Sequence, residues 1–294
     1  MTDIVTIRST RLSAEINPLG AELHAVRDAD QRDLLWDGDP AIWSGRAPVL
    51  FPVIGVVNDG HIRVGGKAYP MAKHGFARRR KWAIAAQDDA AVTFRLEDDA
   101  ETRASYPFAF RLDLTFAIEE AALALTATLT NPADMPLPAS FGFHPALRWP
   151  LPYGAPRAEH RMTFDEPESA PIRRIDPDGL LRPEPQPTPV DGRALVLRDA
   201  LFDDDALIFD AHTSRGLTYG APGFAGLRID FPAMPELGIW TKPGAPYICV
   251  EPWAGIADPE GFAGEFADKP GVISVAPRGA RTFAMRIALA QAQP

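Results

Sequence analysis

Cysteine is almost absent from the chain. Cys249 is the single one in 294 residues, which excludes an intrachain disulfide and argues against a zinc cluster built on thiolates. No run of about 18 apolar residues occurs, and the opening MTDIVTIRSTRLSAE lacks the apolar core of a signal peptide. A soluble protein in the reducing cytoplasm, with no membrane partner, is therefore the expectation. Basic charge is also in short supply: 30 Lys and Arg against 39 Asp and Glu leave a formal net charge of −9. A phosphate backbone would be repelled by such a chain, so no nucleic-acid partner is expected. Arg78–Lys81 is the only dense basic run, and no basic stripe with interleaved aromatics accompanies it. The chain has no Gly-rich phosphate loop and neither a His-x-His nor an HExxH spacing. That pattern calls for no nucleotide cofactor and no metal.

Proline, by contrast, is abundant. Thirty prolines are about double the usual ~5%, and each removes a backbone donor and clashes inside a helix, so long helices are disfavoured. The apolar pattern agrees. Phe108, Phe110, Leu112, Leu114, Phe116 and Ile118 alternate with Arg111, Asp113 and Thr115. Beyond a Glu119–Glu120 corner, Leu123, Leu125, Ala127 and Leu129 alternate with threonines. Period two puts one side of a strand in a core, and the two runs predict a β-hairpin. Short strands of the same kind are predicted at Ile4–Arg8, Leu12–Asn17, Glu22–Arg27, Trp82–Ala86, Val92–Leu96, Leu227–Phe231, Tyr247–Val250, Val272–Ala276 and Thr282–Ala288. Many short strands without intervening helical patterns indicate an all-β antiparallel sandwich, here a single domain over residues 1–294. Pro167–Pro189, which contains RPEPQPTP, is too rich in proline for a buried strand and reads as a surface loop.

Three segments carry the chemistry. His74 lies in Lys73-His74-Gly75-Phe76-Ala77-Arg78, His144 in Phe141-Gly142-Phe143-His144-Pro145, and Glu251 in Cys249-Val250-Glu251-Pro252-Trp253. Each sets a titratable side chain at the end of an apolar stretch, and the prolines after His144 and Glu251 bias the preceding backbone toward extended geometry. Taken singly, each is as compatible with a structural histidine or an ordinary strand end. Trp240, Trp253 and Phe143 offer an apolar platform or, equally, plain core packing.

KHGFAR, GFHP and above all LGIWTKPGAPYICVEPWAGIAD (Leu237–Asp258), in that order, resemble the aldose 1-epimerase, or galactose mutarotase-like, family. The likeness is greatest to its shorter branch, which includes hexose-6-phosphate epimerases, and it runs along nearly the whole chain. The resemblance implies a large antiparallel β-sandwich of the supersandwich type with an open cleft on one sheet, and an isomerase that interconverts the anomers of a hexose without cofactor or metal. It implies Glu251 as general base and His144 as general acid, with His74 and an aspartate of Asp203-Asp204-Asp205 holding the sugar. Asp205 is favoured by the Asp-Ala-Leu pattern it begins, and Asp204 is the alternative. Beside these, Arg46 and Arg78 are candidate donors to sugar hydroxyls or to a phosphate, and Trp253 is a candidate platform for the sugar. The phosphate-using branch carries an Arg-Gly-Gly-Ile-Pro stretch that is Arg46-Ala47-Pro48 here, which puts a phosphorylated substrate in doubt. The residue types suit the reaction: anomer exchange removes a proton from the anomeric hydroxyl, delivers one to the ring oxygen and reverses both on reclosure. Partial desolvation by Trp253 and Phe143 would raise the Glu251 pKa. Three rival accounts are weighed: a metal hydrolase using the two histidines and the glutamate, a carbohydrate-binding module without turnover, and an isomerising or lyase relative of the same fold, for which no catalytic tyrosine motif is present.

Overall fold

The computed structural model of the chain describes residues 4–292. The alternation after Phe108 folds as the expected hairpin: Arg111–Glu119 and Ala122–Thr130 pair antiparallel from Arg111 opposite Thr130 to Glu119 opposite Ala122. The strand begins later than Phe108, because Phe108 N–H turns back to the Tyr106 carbonyl and Phe110 N–H donates to Asp98 Oδ1. Leu112, Leu114, Phe116, Leu123, Leu125 and Leu129 are buried, each adding roughly 1.5–3 kcal/mol of apolar burial.

This hairpin sits inside a nine-stranded antiparallel sheet. Its spatial order is Ala194–Val196, Arg161–Phe164, Gly216–Gly220, Gly226–Asp230, Ala280–Ala290, Ala122–Thr130, Arg111–Glu119, Ala91–Glu97 and Ala83–Gln87. A second sheet runs Phe141–Gly142, Tyr247–Ala254, Glu236–Trp240 and Leu207–Phe209, with Ala146–Arg148 also paired to Tyr247–Ala254. The two sheets meet face to face: Phe141 stacks on Phe283 at 4.8 Å and Phe164 lies 5.6 Å from Phe209. The architecture is the all-β sandwich that the strand pattern and the resemblance predict. A three-stranded sheet (Val5–Arg8, Leu12–Asn17, Glu22–Asp28) and the pairs His61–Val64 with Lys67–Pro70 and Leu137–Ala139 with Ile273–Val275 complete it. The single α-helix among the described residues, Ala100–Ser105, is capped by Asp99, and no helix is long and apolar enough to cross a membrane.

Two expectations change. The strand expected over Tyr247–Val250 continues to Ala254, so Glu251 lies within it and not at its end. Pro252 has no amide proton to offer, yet it stays in register opposite Leu237. Pro167–Pro189 contains no strand, as expected, but it is not merely surface. Glu168, Ile172, Arg174 and Leu181 are buried, and Arg173 bridges Ile208 of the second sheet.

Candidate active site

Strand periodicity decides which face of the second sheet bears chemistry. Along Tyr247–Ala254, Ile248, Val250 and Ala254 join the large core shared with the nine-stranded sheet. Tyr247, Cys249, Glu251 and Trp253 take the opposite face, where Trp43, Trp240 and Ile208 pack with them. A cavity of about 290 Å³ opens on that face, and Glu251, His144, His74, Asp205, Arg78 and Trp253 all line it.

Register explains how residues so distant in sequence meet. Glu251 faces Gly238 across one strand boundary, while Trp253 faces Gly142 across the other. Both glycines are needed there. A Cβ on Gly238 would lie 2.4 Å from Trp253 Cζ2, and one on Gly142 would lie 2.6 Å from Cδ1, so the indole lies flat over two neighbouring strands only because both lack side chains. Leu50 exchanges backbone hydrogen bonds with Gly142 and thereby docks the following residues, Ile54 and Gly55, at the cavity. His74 is then tied to Gly55 twice: its N–H donates to the Gly55 carbonyl at 2.8 Å, and its Nδ1 accepts the Gly55 N–H at 3.1 Å. An accepting Nδ1 leaves the ring proton on Nε2, so His74 is a fixed neutral donor. Burial, reinforced by the positive charges near it, holds its pKa well below the usual histidine value. Gly75 must be glycine, since at φ +71 a Cβ would sit 2.1 Å from the Phe51 carbonyl oxygen.

His74 and Asp205 both adopt φ 62, a left-handed conformation that strains non-glycine residues by about 1–3 kcal/mol and gathers at functional sites. Asp205 Oδ1 accepts its neighbour's amide, Ala206 N–H, at 2.7 Å.

His144 Nε2 and Glu251 Oε2 are 3.2 Å apart, both buried. The His144 Nδ1 has no hydrogen-bond partner, so the ring is held by packing: Trp43 lies at 5.3 Å, His74 edge-on at 5.9 Å and Trp240 edge-on at 6.0 Å. Burial drives the two pKa values in opposite directions. The Glu251 carboxyl is raised well above the carboxylate range, first by desolvation and then by the charge of Asp205. The His144 imidazole is lowered, by desolvation and by Arg78 and Lys73. Both shifts favour one neutral arrangement, a protonated carboxyl facing a neutral ring, with a single proton between them. The two groups touch in this structure, whereas the chemistry inferred from sequence requires only that they flank a sugar carbon.

The residue range 3–270 matches the family model described as aldose 1-epimerase. The chain belongs to the aldose 1-epimerase family. It is 29% identical to the protein LacX (plasmid) of Lactococcus lactis subsp. lactis over 283 residues, covering 93% of this chain and 95% of that protein. Among solved structures it is similar to a galactose mutarotase-like protein from Lactobacillus casei, with TM-score 0.90, 29% identity and coverage of 97% of this chain and 99% of that one. A galactose mutarotase related enzyme from Lactobacillus acidophilus superposes with TM-score 0.89 at 26% identity, covering 99% and 100% of the two chains.

Two residues that the epimerase resemblance or the motifs assign to the site lie elsewhere. Arg46 is not in the cavity: its Nη1 donates to the His24 carbonyl at 2.7 Å, so the guanidinium serves the three-stranded sheet. Phe143 sits in the large core 5.0 Å from Phe141, since alternation sends it to the face opposite His144. It therefore desolvates neither Glu251 nor a ligand. Of the two aspartates, Asp205 lines the cavity and Asp204 an adjoining cleft. Trp43, Lys73 and Trp240 also line the cavity. Trp240 is one of the platform candidates of the sequence, Lys73 is signalled only by adjacency to His74, and Trp43 has no distinguishing sequence context. The lone thiol lies closer to the chemistry than its sequence context suggests. His144, Cys249 and Glu251 offer ligand atoms within 4.8 Å of one another, a set able to hold a metal ion.

Proposed function

We propose that this epimerase-family protein interconverts the α and β anomers of a hexose, using Glu251 and His144 as the proton-transfer pair. The observation that carries the reading is that these two groups, 107 positions apart in the sequence, share a cavity and a 3.2 Å contact, where burial raises the carboxyl and lowers the imidazole. O1 and O5 of a pyranose are bonded to the same carbon, so two side chains in contact can each reach one of them. In the ring-opening step the shared proton first moves from Glu251 to His144; the carboxylate then takes the proton of the anomeric hydroxyl, the imidazolium delivers its proton to the ring oxygen, and the C1–O5 bond breaks to leave an aldehyde. Opening ends with a protonated Glu251 and a neutral His144, which is the arrangement that burial already favours. Rotation about C1–C2 and the reverse transfers give the other anomer. His74, as an Nε2 donor, and Asp205, as an acceptor, suit sugar hydroxyls, and the walls of Trp43, Trp240 and Trp253 suit the CH faces of a ring better than a bare ion.

A phosphorylated hexose is the second reading. Lys73 and Arg78 line the cavity without an ion-pair partner among the described residues, which favours an anionic substituent, although Arg46 is committed to His24. Saturation-transfer NMR on α/β mixtures of glucose, galactose and glucose 6-phosphate tests both readings. Exchange of one or more is expected to accelerate with catalytic amounts of protein, and binding without any acceleration would leave a carbohydrate-binding protein. If zinc co-purifies and its removal abolishes exchange, the metal-free scheme is wrong.

The glycine slot yields a further expectation. Gly238→Ala forces the Trp253 indole off the sheet and should lower kcat/KM by about tenfold to a hundredfold through misplacement of the wall. The overpacking should cost about 1–3 kcal/mol of stability. Steady-state kinetics with a thermal melt separates the two, and an unchanged kcat/KM would mean that Trp253 does not contact the sugar.

A further inference from the structure

Asp205 reaches the cavity from a turn with little packing of its own. Asp203, Asp204 and Asp205 are all exposed, directly after the short 3-10 helix Asp199–Phe202. Asp205 holds φ 62 while its N–H donates back to the Phe202 carbonyl at 3.1 Å. Among the described residues its carboxyl accepts only the amide of the next residue, Ala206. A bond to its own neighbour does not fix where the residue sits, so the carboxyl is aimed by whatever holds the turn.

Arg174, from the proline-rich segment, holds it from beneath. The residue is buried and does not line the cavity. What its guanidinium meets is backbone: Nη1 donates to the carbonyls of Asp205 at 2.8 Å and Ala206 at 3.2 Å, and Nη2 to that of Leu201 at 2.9 Å. One planar fork therefore ties the two ends of the turn together, which a single ammonium point does not do. The fork is itself fixed. Arg173 and Ile208 exchange backbone hydrogen bonds at 2.7 and 3.1 Å, and Arg182 N–H donates to the Arg174 carbonyl at 2.9 Å. Ile208 belongs to Leu207–Phe209, the strand into which Asp205 leads, so anchor and turn are built on the same strand.

We infer that Arg174 is a positioning residue, whose guanidinium holds the Leu201–Ala206 turn so that the Asp205 carboxyl faces the sugar in the cavity of His144 and Glu251. This rests on the reading of Asp205 as a sugar-binding acceptor. Arg174 makes no contact with the sugar, and its whole effect on binding passes through Asp205.

The test measures glucose and galactose binding by calorimetry and their anomer exchange by NMR, on the whole protein. Asp205→Gly removes the carboxyl at a φ that glycine adopts freely, and should raise Kd and KM about tenfold to a hundredfold. Arg174→Met, of similar length but without donors, should raise both about tenfold with kcat within about twofold, the pattern of lost binding and not of lost chemistry. Arg174→Lys, which satisfies part of the carbonyl set, should raise them only about threefold. In the Asp205→Gly background neither Arg174 substitution should weaken binding further. If the methionine variant does not fold, the lysine variant carries the same comparison. A lower melting temperature with unchanged Kd, a Kd indifferent to Asp205→Gly, or losses that multiply with Asp205→Gly overturn the inference. The epimerase reading fails separately. Binding that Asp205→Gly and Arg174→Met both weaken, with neither sugar exchanged faster, sinks the reaction and keeps the role of Arg174. Accelerated exchange with a Kd that responds to Asp205→Gly but not to Arg174→Met does the reverse.

Discussion

Glu251→Gln is expected to lower kcat/KM for anomer exchange by about 10²–10⁴-fold, the range for loss of a positioned general base. The substitution is nearly isosteric. Its amide can still donate to His144 Nε2 across the 3.2 Å contact, so the strand Tyr247–Ala254 and its neighbours have no reason to move. Burial already favours the uncharged carboxyl, so an uncharged amide at this position meets no new desolvation penalty. Stability should therefore change little while turnover collapses. Sugar binding measured by calorimetry should persist, because His74, Asp205 and the tryptophan walls are untouched. Loss of folding together with activity would leave the catalytic role of Glu251 unsupported.

His144→Phe is the second large effect. Phenylalanine keeps a flat ring between Trp43 and Trp240 but cannot carry a proton, so kcat/KM should fall by about 10²–10⁴-fold with Kd for the sugar nearly unchanged. The pair works as a unit, and the double variant should be little worse than either single one. Multiplicative losses would show that the two residues act independently, and the shared-proton scheme would then be wrong.

Much of the fold is legible in the sequence because a strand writes its burial in period two. The run from Leu112 to Leu129 reads as a hairpin without any tertiary knowledge, and its inward residues are buried as the alternation requires. The same rule sets Glu251 and Trp253 on one face and parts His144 from Phe143. What alternation cannot supply is long-range register. The meeting of His74, His144 and Glu251 depends on Leu50 pairing with Gly142 through the backbone and on Gly55 clasping both the backbone and the ring of His74, contacts that no side-chain pattern announces. Arg46 shows the same limit from the other side. A long flexible side chain near the right motif turns to the nearest free carbonyl, at His24. The proline-rich segment is strandless, as its composition requires, yet a strandless segment can still be anchored, and here Arg174 and Leu181 anchor it as a wall.

The pH profile of kcat/KM bears most directly on the central claim that His144 and Glu251 hold one proton between them. His144 is lowered to about 3, chiefly by burial, and Glu251 is raised well above the carboxylate range, so the shared proton rests on the carboxyl and the imidazole does not titrate alone near its ordinary value. Activity should therefore show no limb near the ordinary imidazole pKa, falling at lower pH as the pair gains a second proton and at higher pH as it loses its last. A limb centred near pH 6.5 that disappears in His144→Phe would mean that the imidazole titrates alone, and the account of a buried, shared proton would be contradicted.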